Sequence, residues 1–66
     1  MAKTRIAFHA STAPAAQDAL AKLTRAYGQV STEEAEVVVA LGGDGFMLQT
    51  LHETEDMGLP VYGMNC

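Results

Sequence analysis

The chain has little of what usually staples a small protein or ties it to a charged partner. Its one cysteine, Cys66, rules out a disulfide within the chain, and no Cys/His spacing matches a structural zinc site. Four Lys and Arg stand against eight Asp and Glu, for a net charge of -4. That balance lacks the positive field that holds a protein to duplex nucleic acid or to an anionic membrane surface. Long apolar runs are missing too. The longest, Val37 to Leu41, has five residues, against the roughly 20 that a membrane-spanning helix needs. The opening MAKTRIAFHASTAPAA imitates a secretory leader through Lys3, Arg5 and its small-residue tail, but His9 interrupts the apolar centre after Ile6 to Phe8. The expectation is a cytoplasmic protein with neither a membrane nor a nucleic acid as partner.

Sixty-six residues allow one domain, and a chain of this size buries only about 60% of the surface it exposes when unfolded. Stability alone is therefore marginal, and a partner or a further stretch of chain is expected. The order of elements points the same way. RIAFHA (Arg5 to Ala10) is short, apolar and closed by Ser11-Thr12, as a strand would be. PAAQDALAKLTRAYG then sets Ala16, Ala19, Leu20, Leu23, Ala26 and Tyr27 at helical spacing, with Pro14 at the start and Gly28 as the stop. After the acidic turn STEEAE comes VVVAL, apolar at every position, the habit of a parallel strand covered on both faces. FMLQTLHETEDMG reads as a second helix that turns Met47, Leu48 and Leu51 to one side and stops at Gly58. LPVYGMN reads as a third strand, with Pro60 at its tolerated first position. The fold class is α/β: β-α-β-α-β, the start of a parallel-sheet nucleotide-binding domain whose sheet is incomplete. No repeat, low-complexity tract or linker interrupts it.

Between the second strand and the second helix lies LGGDGFM. Gly42, Gly43 and Gly45 sit where free N–H groups and the positive end of a helix dipole favour an anion, and where a missing Cβ lets phosphate oxygens approach. The loop has neither the GK[ST] ending of a Walker loop nor GxGxxG spacing. It carries an acid, Asp44, instead. An Asp beside a phosphate can hold a bridging Mg²⁺ or accept the proton of an attacking hydroxyl. The second role suits phosphoryl transfer to an alcohol, which needs a phosphate cradle and a base side by side. The plainer alternative is a tight turn in which Asp44 caps the helix.

ALGGDGFMLQTLH followed by PVYGMN resembles the N-terminal part of NAD kinases of the bacterial type, which phosphorylate NAD to NADP. GGDG alone is shared with diacylglycerol and sphingosine kinases and, more loosely, with phosphofructokinases; YGMN separates them. The resemblance implies transfer from ATP to the 2′-hydroxyl of the adenosine ribose of NAD, with Mg²⁺ required. It makes Asp44 the proton acceptor, places Asp44 and Gly45 against the nucleotide, gives Gly42 and Gly43 the phosphate approach, and matches Asn65 to the asparagine of a G-x-N motif. The site residues it implies are thus Gly42, Gly43, Asp44, Gly45 and Asn65, with no dedicated metal site. Residues 1–66 would be the N-terminal part of the α/β domain, inactive alone, with the β-rich NAD-binding domain and a downstream Asn-Glu pair outside the chain. Homo-oligomers are implied for the full-length enzyme. Gln49 departs from the family, standing where many relatives carry a basic residue. Two other classes remain open: a GGDG kinase acting on a lipid or sugar, and a non-enzymatic nucleotide-binding remnant with an exposed sheet edge.

Other residues read as structural or solvated. His52 falls on a helix surface, and His9 follows a strand core. Glu33, Glu34, Glu36, Glu53, Glu55 and Asp56 fall in a turn and at a helix end, Met47, Met57 and Met64 are core filler or edge residues, and Cys66 is a loose thiol.

Overall fold

The computed structural model describes residues 4–65, so Cys66 lies outside the described residues. Strand β1 (Ile6–Ala10) leads to helix α1 (Pro14–Tyr27), strand β2 (Val37–Leu41), helix α2 (Asp44–Thr54) and strand β3 (Val61–Met64). Single turns of 3-10 helix lie at Thr32–Glu34 and Glu55–Met57. The β-α-β-α-β order expected from the sequence is the order found. All three strands are parallel, in the order β1-β2-β3. No helix among the described residues is long and apolar enough to cross a membrane.

Helix α1 begins and ends on the two residues that announce it. Pro14 occupies the first turn, where its missing N–H has no partner to lose. Gly28 follows the last turn at φ 82°, and its N–H closes on the carbonyl of Thr24 at 2.8 Å. One stripe of α1, Ala16, Ala19, Leu20 and Leu23, packs on Ile6, Phe8, Ala10, Val39 and Leu41. Ala16 is fully buried there, because a side chain this small lets the helix approach Phe8 and Leu41 closely.

Strand side chains alternate between faces, so Ala7, Val38 and Ala40 look the other way. Ala7 and Val38 form a second cluster with Ala35, lined by Val30, Leu59 and Val61. Helix α2 lies on this side. A Cβ built on Gly63 would run into the side chain of Met47, and Gly63 is in register with Ala40, opposite in face to Leu41. The two helices therefore cover opposite faces of the sheet. Between α1 and β2 the chain rounds the far edge of β1, where Val30 N–H donates to the carbonyl of Ile6, and Val30 and Ala35 then pack on the face that α2 covers.

The sequence expectation for α2 needs correcting. Met47 does face the sheet, but Leu48 and Leu51 are 59% and 39% exposed, and the buried positions are Thr50 and Thr54. The opposing sheet surface explains this. Ala40 and Gly63 are so small that the helix sits close, and a threonine fills the remaining space. Each buried hydroxyl donates to the carbonyl one turn back, Thr50 to Phe46 at 3.0 Å and Thr54 to Thr50 at 2.9 Å, so neither is left unpaired. Gly63→Ala is expected to destabilise the fold by about 1 kcal/mol, because Met47 must leave its place over β3. A lower urea midpoint at constant slope is the expected reading; an unchanged midpoint would mean that Met47 has free space to move into.

Candidate nucleotide site

Parallel pairing brings the carboxyl ends of the three strands to one edge, where open α/β sheets place their ligand loops. Ala10, Leu41 and Met64 lie in register. One residue further on, the N–H of Ser11 donates to the carbonyl of Leu41 at 2.9 Å, and the N–H of Gly42 to the carbonyl of Met64 at 3.0 Å. Ser11, Gly42 and the start of the exposed Asn65 thus form a row just beyond the sheet. The fold brings the glycine loop and Asn65 together, as two sequence segments that are 20 residues apart could not announce.

The four loop residues differ in what the fold asks of them. Gly42 is buried, and a Cβ there would stand 3.1 Å from Phe46 Cδ2 and from both Cβ and Oγ of Ser11. This crowding and a φ of 158° together favour glycine at this position. Gly43 is the N-cap of α2, at φ -86° and ψ -176°, and its carbonyl accepts the first helical bond, from Met47 N–H at 3.0 Å. Any residue can adopt that backbone, and a Cβ would meet nothing within 4 Å. Gly45, in the first turn of α2, likewise has open space around its Cα. In a helix it costs about 1 kcal/mol relative to alanine, and no neighbour in the described chain requires it.

Asp44 is the first residue of α2 and is exposed. It does not cap the helix: the cap position belongs to Gly43, and no side chain bonds to the helix end. Its carboxylate has no hydrogen-bond partner among the described residues. What remains is the favourable placement of a negative charge at a helix N-terminus, worth roughly 0.3–1 kcal/mol. The N–H groups of Asp44, Gly45 and Phe46 have no acceptor inside the helix, as the first turn of any helix leaves them. The loop therefore presents donors for an anion and an unengaged carboxylate within one turn.

Other candidates separate from this edge. His9 is half-buried, with Nε2 and the Thr32 hydroxyl 2.9 Å apart. His52 and Gln49 are exposed on α2, and the six acids of the turn and helix end are exposed as expected. Ser11 is the position that sequence reasoning missed. It looked like the end of a strand, and only the register with Leu41 puts its side chain under the glycine loop.

Over 65 residues, 98% of its length, the chain is 63% identical to a protein from Cereibacter sphaeroides named NAD kinase, of which the match covers 26%. A Xylella fastidiosa protein named NAD kinase is 60% identical over 63 residues, 96% of this chain and 24% of that protein. A Caulobacter vibrioides protein of the same name is 55% identical over 62 residues, 94% of this chain and 24% of that protein. The chain is a relative of the NAD kinases. It spans about a quarter of the length of the curated relatives it matches. A match over 65 of the 66 residues takes in the GGDG loop and Asn65 together, so the relationship to NAD kinases rests on the whole β-α-β-α-β unit rather than on one short motif. No family model and no solved structure matches the chain.

Proposed function

We propose that this chain supplies the phosphate-approach loop and the proton acceptor of a NAD kinase, which moves a phosphoryl group from ATP to the 2′-hydroxyl of the adenosine ribose of NAD. The observation that carries this reading is the pair Gly43 and Gly45. Both have empty space where a Cβ would be, and neither has a backbone that requires glycine. The absence of side chains there serves something other than the fold, and a phosphate drawn to the N-terminus of α2 is the occupant that the chemistry favours.

In this reading Asp44 takes the proton from O2′ as that oxygen bonds to the γ-phosphorus and ADP departs with the bridging oxygen. Gly43 and Gly45 leave room for the nucleotide phosphates, Gly42 seats the loop on Ser11, and Asn65 offers its amide from the adjoining strand end. Among the described residues no three His, Cys, Asp or Glu side chains converge as a metal cage would require. A lone exposed carboxylate beside free N–H groups suits a Mg²⁺ that arrives on ATP, because that ion is commonly held by substrate phosphates with one or two carboxylates. When bound, Mg²⁺ would neutralise phosphate charge. The β-rich NAD-binding domain, homo-oligomeric assembly and a cytoplasmic site of action belong to the same proposal.

The names of the relatives favour NAD over a lipid or sugar as acceptor. The test is NADP formation from NAD, ATP and Mg²⁺ by the full-length protein, set beside the 66 residues alone. The full-length protein is expected to form NADP and the isolated chain none. Either an inactive full-length protein or Asp44-dependent NADP formation by the isolated chain would overturn the reading.

A further inference from the structure

A parallel strand directs both backbone groups of one residue to one side and those of the next residue to the other. In β1 the carbonyl of Arg5 accepts from Glu36 N–H and the N–H of Ser11 donates to Leu41, so the odd-numbered residues serve β2. The backbone N–H and C=O groups of Ile6, Phe8 and Ala10 then point away from β2, along an edge with no neighbouring strand among the described residues. Such an edge invites a second chain. Here it is occupied. Gln29, just after α1, places Oε1 2.8 Å from the N–H of Phe8 and Nε2 3.0 Å from its carbonyl. One planar amide thus accepts from and donates to the same residue, as a partner strand would. The N–H of Val30 adds a bond to the carbonyl of Ile6 at 3.3 Å.

We propose that Gln29 is an edge lock: its side-chain amide takes the place of a neighbouring strand on Phe8 and denies the outer edge of β1 to a second copy of the chain. Nothing in this depends on catalysis. The carboxamide is the one side-chain group suited to the task, since it carries a donor and an acceptor in a fixed plane at the spacing of a peptide group. The connection from α1 to β2 therefore does more than join two elements. It terminates the sheet on that side, so that copies of this domain associate through surfaces other than β1.

Gln29→Ala in the full-length protein, compared with the parent, tests this with two readouts. The amide of Phe8 is expected to exchange with solvent roughly tenfold faster, as loss of its acceptor implies, while the Ser11 amide bonded to Leu41 keeps its rate. Sedimentation is expected to reveal concentration-dependent association beyond the parent's own assembly. Gln29→Met, which keeps the length of the stem and removes both polar atoms, is expected to reproduce both effects, which separates loss of the amide from shortening of the side chain. An unchanged Phe8 rate in the folded variant would overturn the proposal, as would a variant that keeps the parent's mass at every concentration.

Discussion

Asp44→Asn in the full-length protein is expected to lower kcat for NADP formation by roughly 10²- to 10⁴-fold, the range that a positioned general base contributes. Asn has nearly the shape of Asp but no basic oxygen, so it can occupy the first turn of α2 without taking a proton from the ribose hydroxyl. The structural consequences should be small. Asp44 is exposed and has no hydrogen-bond partner among the described residues, and the helix-dipole contribution lost with its charge is at most about 1 kcal/mol. A variant that melts close to the parent yet turns over far more slowly would therefore locate the defect in the chemistry. Steady-state rates at several Mg²⁺ concentrations complete the measurement. Full turnover by Asp44→Asn would remove the residue from the reaction, whereas recovery at high Mg²⁺ would make it a metal ligand rather than the base.

Gly42→Val and Gly43→Thr are expected to fail in opposite ways although the residues are adjacent. At Gly42 a Cβ already stands 3.1 Å from Phe46 and Ser11, and a β-branched side chain adds two further atoms in a buried place. Overpacking of this kind costs about 1–3 kcal/mol and occasionally more, a large share of what a small domain possesses. At Gly43 the Cβ meets nothing within 4 Å and the backbone is already extended. Threonine and glycine are close in preference at an N-cap, so Gly43→Thr should melt within about 0.5 kcal/mol of the parent. Its bulk would instead occupy the space proposed for phosphate and raise KM for ATP at least tenfold. Thermal or urea unfolding alongside initial rates separates the two. If Gly43→Thr bound and used ATP as the parent does, the open space would have no role in the site.

Much of the fold is written in local pattern. VVVAL has no polar face to offer solvent, so it reads as a parallel strand covered on both sides, and Val38, Ala40 and Leu41 are buried on alternate faces. Pro14 and Gly28 bracket α1 through their own backbone chemistry, which needs no tertiary context. Helix α2 was less legible. Its pattern gathers Met47, Leu48 and Leu51 on one broad apolar side, which is wider than the strip the sheet covers. Met47 faces the sheet while Leu48 and Leu51 do not, because Ala40 and Gly63 on neighbouring strands decide which side can approach closely.

Local pattern suffices for the order of elements, the parallel habit of the middle strand, and the presence of an acid within a glycine loop at a strand-to-helix junction. These are properties of neighbours along the chain. Contacts between distant segments set which strands adjoin, that α1 and α2 lie on opposite faces, that Ser11 and Asn65 flank the loop, and that Gln29 closes the edge at Phe8. They also divide the glycines of the loop. Gly42 has side chains packed against it and a positive φ, while Gly43 and Gly45 face open space. A sequence records that the Cβ is missing at all three. Only the atoms brought near from elsewhere in the chain distinguish a glycine the fold needs from one left for a ligand.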